Sequence, residues 1–237
     1  MLRLSPILAP FRKFCVRRRI GFLLLFFIAG IAIASCGPSV GQVRNLEAGE
    51  GEQIIILGDS IASGYGVASE QAFPAVLSDK LNVPILNRGV AGDTTAMGLK
   101  RLEADVLDEN PWLVMVELGG NDYLRQVPIT EAEENLRTIL TQIQDKGAIA
   151  VILGVYADRI GGDYKRMFES LAKETRSYLI PDLLKGVVGN PKRRQDDVIH
   201  PNAAGHKFIA DRVYTDLQPL LKRATIPESL AAIKMAE

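Results

Sequence analysis

Few side chains in this sequence can act as a base near neutral pH. It has two histidines, His200 and His206, and two cysteines, Cys15 and Cys36. His200 follows Asp197 by three residues, so the two side chains can face each other across one turn. A carboxylate there accepts from Nδ1–H, fixes the tautomer and stabilises the imidazolium, which leaves Nε2 to take up a proton. Pro201 restricts His200 to an extended backbone, so the pair is expected on a loop. His206 has no acid at matching spacing and reads as a surface or helix-packing residue. A serine hydroxyl becomes a useful nucleophile only when such a base removes its proton. Ser60, in the turn Gly58-Asp59-Ser60, is the candidate. Acyl transfer also needs donors aimed at the developing oxyanion, and losing one costs about 10²–10³ in rate. The N–H groups of Ser60 and Gly92 and the side-chain amide of Asn121 are candidates, and a glycine at 92 lets a substrate oxygen approach its N–H closely.

These residues need a frame. Short apolar runs alternate with segments of helical period between about Glu52 and Leu221. Strands are expected at Gln53–Leu57, Pro84–Asn87, Trp112–Leu118, Ala148–Val155 and Tyr178–Pro181. Helices are expected at Phe73–Leu81, Thr95–Leu107, Thr130–Lys146, Asp163–Thr175 and Asn202–Leu221. Thr130 and Glu133 form a capping-box pattern, and Gly147 stands where a helix would stop. Alternating β and α elements imply a parallel sheet covered by helices on both faces. Ligands of such sheets bind at the carboxyl ends of the strands. No repeat of solenoid period is present.

Gly58-Asp59-Ser60, Gly89 to Thr94, Gly119-Gly120-Asn121-Asp122 and Asp196 to Asn202 all fall at or close to that edge. Singly, each is an ordinary turn. Together and in this order, Gly58-Asp59-Ser60-Ile61, Gly92-Asp93-Thr94, Gly119-Gly120-Asn121-Asp122 and Asp197-Val198-Ile199-His200 resemble the four blocks of the GDSL, or SGNH, hydrolases. Glu117 to Asp122 and Asp196 to Asn202 resemble in particular the bacterial thioesterase I, lysophospholipase L1 and arylesterase branch. The likeness spans about residues 53–221. It implies a three-layer α/β/α flavodoxin-like sandwich with a five-stranded parallel sheet. It implies Ser60 as nucleophile, His200 as base, Asp197 as its orienter, and oxyanion donors from Ser60, Gly92 and Asn121. No cofactor or metal is implied.

Residues 1–35 carry six basic side chains and no acid, and Arg17-Arg18-Arg19 precedes an uncharged apolar run, Ile20 to Ala34. This reads as a secretory signal, since the run is short of the ~20 residues that span a bilayer. Ile33-Ala34-Ser35-Cys36 resembles a bacterial lipobox, which implies lipidation of Cys36 and attachment to a membrane; several acyl chains hold a protein stably where one does not. An uncleaved amino-terminal anchor is the alternative. Gly37, rather than Asp, points to the outer membrane, and the envelope location faces the periplasm or cell surface. Residues 36–51 are expected to be a lipidated Cys and flexible tether, 52–221 the hydrolase domain, and 222–237 an extension with a short surface helix near Pro227.

The chain has 28 basic and 28 acidic residues, so without the first 35 residues 22 basic face 28 acidic groups. An acidic body does not suit a nucleic-acid partner. With 47% hydrophobic residues the chain is not intrinsically disordered. There is no phosphate-binding Gly-Lys-Ser/Thr loop, and Gly64-Tyr65-Gly66 lacks the third glycine of a dinucleotide fingerprint. Asp196, Asp197 and His200 form a weak cation candidate. The expected substrate is an acyl ester or lipid, with oxygen esters favoured over acyl-CoA outside the cytoplasm. The segment Val155–Gly162 is either an acyl-contacting loop or a plain connection. The alternatives are an acetyl-ester esterase acting on cell wall or polysaccharide, and a lipoprotein that binds lipid without catalysis.

Overall fold

The structure, a computed structural model, describes residues 39–156 and 162–236. The signal segment, Cys36 and Ile160 lie outside the described residues.

Five strands form one parallel sheet: β1 (Gln53–Gly58), β2 (Ile85–Gly89), β3 (Pro111–Glu117), β4 (Ile149–Leu153) and β5 (Tyr178–Ile180), in the order β2-β1-β3-β4-β5. This is the doubly wound order that reverses direction beside the first strand. Strands β1, β3 and β4 are continuous apolar runs because both faces are covered. Their side chains alternate between two cores. Ile54, Ile56, Leu113, Met115 and Val151 face helices α2 (Phe73–Leu81) and α7 (Ala203–Leu221). Ile55, Leu57, Val114, Val116 and Ile152 face α3 (Thr95–Asp105), α5 (Ile129–Asp145) and α6 (Gly162–Thr175). The three-layer sandwich is therefore two separate apolar cores on one sheet. Two short helices, α1 (Ser60–Ser63) and α4 (Gly120–Leu124), sit at the carboxyl ends of β1 and β3.

Helix Phe73–Leu81 has the expected bounds. The first strand runs one residue further, to Gly58, and the second lies at Ile85–Gly89. The expected helix end at Leu107 is instead a separate 3-10 turn, Leu107–Glu109. The capping box of Thr130 and Glu133 does not form. Helix α5 starts one residue early behind Pro128, so Thr130 is inside the first turn and no side chain caps it. Its other end closes as expected. Gly147 N–H donates to Gln144 O and Ala148 N–H to Ile143 O, the paired bonds of a Schellman stop.

Two further expectations are corrected. Residues 39–51 are not a free tether. Val43 and Leu46 are buried in the first core, and the Asn45 amide donates to Gln144 O and Ala148 O. Arg44 N–H donates to Arg176 O, and Glu52 N–H to Asn110 O. Two apolar side chains three residues apart, together with these hydrogen bonds, dock the segment along the amino-terminal edge of the sheet. The extension after Leu221 also packs. Its 3-10 turn, Glu228–Leu230, buries Leu230 in the same core rather than lying on the surface.

Candidate functional site

Strand β1 delivers the chain straight into α1, with Asp59 as the helix cap: its Oδ1 accepts the Ile61 N–H at 3.0 Å. Ser60 is the first helical residue. The turn is tight. At Gly89 on β2, a Cβ would come within 2.3 Å of the Ser63 nitrogen, so only glycine lets the strand pass. Backbone donors around the serine are used selectively. Asp59 N–H and Ala62 N–H both donate to Glu117 Oε2 at 3.1 Å, and Ile61 N–H goes to Asp59. Among the described residues the Ser60 N–H has no acceptor.

His200 comes from the loop before α7. Asp197 Oδ1 accepts the N–H groups of Ile199 and His200, each at 3.0 Å, which folds the loop into an Asx turn around the carboxylate. Gln195 N–H donates to His200 O, and its side-chain amide donates to Tyr65 O and Pro201 O. Asn202 caps α7 through Gly205 N–H while donating to Lys192 O and Arg194 O. With the loop fixed in this way, the imidazole Nδ1 lies 2.6 Å from Asp197 Oδ2 and its Nε2 lies 2.9 Å from Ser60 Oγ. The Tyr65 ring packs on the imidazole at 4.7 Å between centroids. Burial pushes the Asp197 carboxyl up, but the backbone and side-chain hydrogen bonds from His200 and the Ile199 N–H outweigh it and hold the group at about 2.

Asn121, on α4, also reaches Ser60's turn. Its Nδ2 donates to Asp59 Oδ2 at 3.1 Å and to Asp93 O at 3.0 Å. Helix α4 is tied to α3 through buried Asp122, which accepts the N–H and hydroxyl of Thr95. Gly92 sits in left-handed backbone at φ 88°, where a side chain would be strained. Its carbonyl accepts from Arg125 Nη2 at 2.7 Å, and its N–H has no acceptor among the described residues. Ser60, Asn121 and His200 line one cavity of about 330 Å³; Gly92 is not among its lining residues. The remaining wall is mostly apolar, with Tyr123, Leu124, Val155, Tyr156, Tyr164, Leu184 and Val188. Val155 and Tyr156 of the expected acyl-contacting segment are therefore on the wall. Among the described residues Arg194 is the cavity's one basic residue besides His200.

Sequence reasoning passed over the groups behind the serine. Asp59 and Glu117 are both buried carboxyls. The detectable signal was a glutamate closing an otherwise unbroken apolar strand. His206 is fully buried: its Nδ1 accepts the Phe73 N–H at 3.3 Å, so it packs helices and is absent from the surface. Asp196, Asp197 and His200 do not make a cation site, since among the described residues no three His, Cys, Asp or Glu groups are placed to hold a metal.

A model of the GDSL-like lipase/acylhydrolase family matches residues 56–208. The thioesterase 1/protease 1/lysophospholipase L1 of Escherichia coli K12 is 36% identical over 177 residues, covering 72% of this chain and 85% of that protein. An arylesterase of Vibrio mimicus is 32% identical over 176 residues, covering 70% and 88%. The crystal structure of TesA superimposes with a TM-score of 0.67 at 32% identity, covering 71% of this chain and 99% of that one.

Proposed function

Since the chain belongs to the GDSL-like lipase/acylhydrolase family and is an ester-hydrolysing enzyme, we propose that Ser60, His200 and Asp197 are its catalytic triad. The observation that carries this is the relay of contacts from Asp197 Oδ2 through both imidazole nitrogens to Ser60 Oγ. In the first step Nε2 takes the hydroxyl proton as Oγ bonds to the ester carbonyl carbon. The carbonyl oxygen becomes an oxyanion, received by the N–H groups of Ser60 and Gly92 and by the Asn121 amide. For Asn121 this means turning one proton away from Asp59 or Asp93. Collapse re-forms the carbonyl, breaks the bond to the alcohol oxygen, and sends the imidazolium proton out with the alcohol. Water then repeats the sequence on the acyl-enzyme, releasing the acid and restoring Ser60.

The apolar cavity favours an acyl chain over an acetyl group as the moiety held. Long-chain oxygen esters such as lysophospholipids are the proposed substrates, with thioesters as a second activity of the same site. Turnover of p-nitrophenyl esters of graded length by wild type and Ser60→Ala tests this. Wild-type turnover rising from acetate to octanoate, absent in the variant, supports it. Equal rates in both proteins, or no fluorophosphonate adduct, would leave only a lipid-binding protein.

Lipid attachment at Cys36 and an envelope location facing the periplasm rest on the Ile33-Ala34-Ser35-Cys36 pattern, and loss of palmitate labelling in Cys36→Ala is their test. Only Gly37 and Pro38 lie between Cys36 and Ser39, a reach of about 10 Å of chain at most. Because residues 39–51 pack at the amino-terminal edge of the sheet, such an anchor holds the domain by the edge opposite the cavity.

A further inference from the structure

The carboxyl behind the nucleophile is unused by the mechanism above. Glu117 is completely buried at the end of β3, in register with Gly58 at the end of β1. Its Oε2 accepts two backbone N–H groups that bracket Ser60, those of Asp59 and Ala62. Its Oε1 is buried and receives no donor. A carboxylate oxygen left that way is costly, whereas a protonated one becomes a donor. The acceptor at hand is the Asp59 carboxylate, since Glu117 Oε2 already holds the Asp59 N–H and each acid acts on the other's charge. Asp59 has a donor on each carboxylate oxygen: Oδ1 accepts from Ile61 N–H and Oδ2 from Asn121 Nδ2.

We propose that Glu117 is a positioning residue that works as a neutral acid, its Oε2 gripping the amides on either side of Ser60 and its proton bridging to the Asp59 carboxylate. Through Asp59 the bridge also sets the side-chain amide of Asn121. One group thus fixes three parts of the site: the nucleophile's turn, the free Ser60 N–H and the Asn121 donor.

The electrostatics agree. Burial, and then the Asp59 charge, push the Glu117 carboxyl well above the ordinary range. Burial also pushes Asp59 up to about 6, against the Ile61 N–H, the Glu117 bond and His200, with Asp93 adding to the rise. Among the described residues Arg101, which is paired with Asp93, also donates to Gly58 O beside the pair. When the shared proton leaves at high pH, two carboxylates face each other behind Ser60, and the bridge through Asp59 to Asn121 is lost.

The proposal rests on the triad reading, which Ser60→Ala and the fluorophosphonate adduct test separately. Its own test compares Glu117→Gln with Glu117→Leu by kcat, KM and melting temperature across pH. Glutamine keeps an acceptor for the two amides and a donor for Asp59, so its kcat should stay within about threefold of wild type. Leucine removes both, and a displaced nucleophile should lower kcat about 10²-fold with KM little changed. Wild type should lose activity on an alkaline limb that Glu117→Gln lacks. The proposal is overturned if glutamine is as slow as leucine, if leucine keeps wild-type kcat, or if the alkaline limb persists unchanged in glutamine. Should Glu117→Leu fail to melt cooperatively, the rate and pH profile of Glu117→Gln decide alone.

Discussion

Replacing Asp197 by Asn tests the triad through a geometric conflict that the loop itself creates. Asp197 Oδ1 takes the N–H groups of Ile199 and His200, while Oδ2 faces His200 Nδ1. An asparagine in the same place must keep its oxygen on the two backbone donors, so its NH₂ points at Nδ1. The imidazole then has to accept there, which puts its proton on Nε2, the nitrogen 2.9 Å from Ser60 Oγ. A ring protonated on that side cannot take the serine proton. The loop stays folded and the serine stays in place, yet the base is held in the wrong tautomer. A tautomer error of this kind costs about 10⁴ in kcat, or about 5 kcal/mol of transition-state stabilisation. The assay is steady-state hydrolysis of a p-nitrophenyl ester, with circular dichroism and melting to show that the fold survives. Because the defect lies in the base, KM should change little. A variant that keeps more than about a tenth of wild-type kcat would refute the assignment of Asp197 as orienter.

Two other outcomes follow from the same geometry. Val188→Trp takes volume from the cavity wall; losing room for three methylenes at ~0.8 kcal/mol each should lower kcat/KM for a decanoate ester about sixtyfold. The acetate ester should be unaffected, and a uniform loss across chain lengths would show that the chain binds elsewhere. His206 is held neutral, since burial, with the His200 charge adding, pushes it down to about 4 from 6.5. The unfolded chain therefore binds a proton that the folded one refuses, so stability is lost as pH falls from about 6.5 to 4. The loss from this group amounts to about 3 kcal/mol. Urea unfolding of wild type and His206→Gln at pH 7 and pH 4.5 isolates it: the gap between the proteins should move in the variant's favour at the lower pH. An unchanged gap would mean that His206 titrates normally.

The alternation of buried strands and amphipathic helices was legible because it is local. Ile54 to Leu57 place their side chains on opposite faces by the geometry of a strand alone, and Leu136, Ile139, Leu140 and Ile143 share a helix face by theirs. The pairing of Asp197 with His200 was legible for the same reason, being a three-residue contact. The relation of His200 to Ser60 could only be inferred from chemistry, since 140 residues separate them. The docking of residues 39–51 was misread because composition alone does not show that Val43 and Leu46 find a core to enter. The start of α5 was misread because Pro128 began the helix before the capping pattern.

Sequence alone thus determined which groups this protein has and the periods at which its chain turns apolar faces inward. Tertiary structure decided which distant groups meet. Only when β1 and β3 lie side by side does Glu117 reach the amides around Ser60, and only the folded loop before α7 brings an imidazole within hydrogen-bond distance of that hydroxyl. Periodicity is a property of neighbouring residues, whereas a hydrogen bond between distant ones exists only after packing has brought them together.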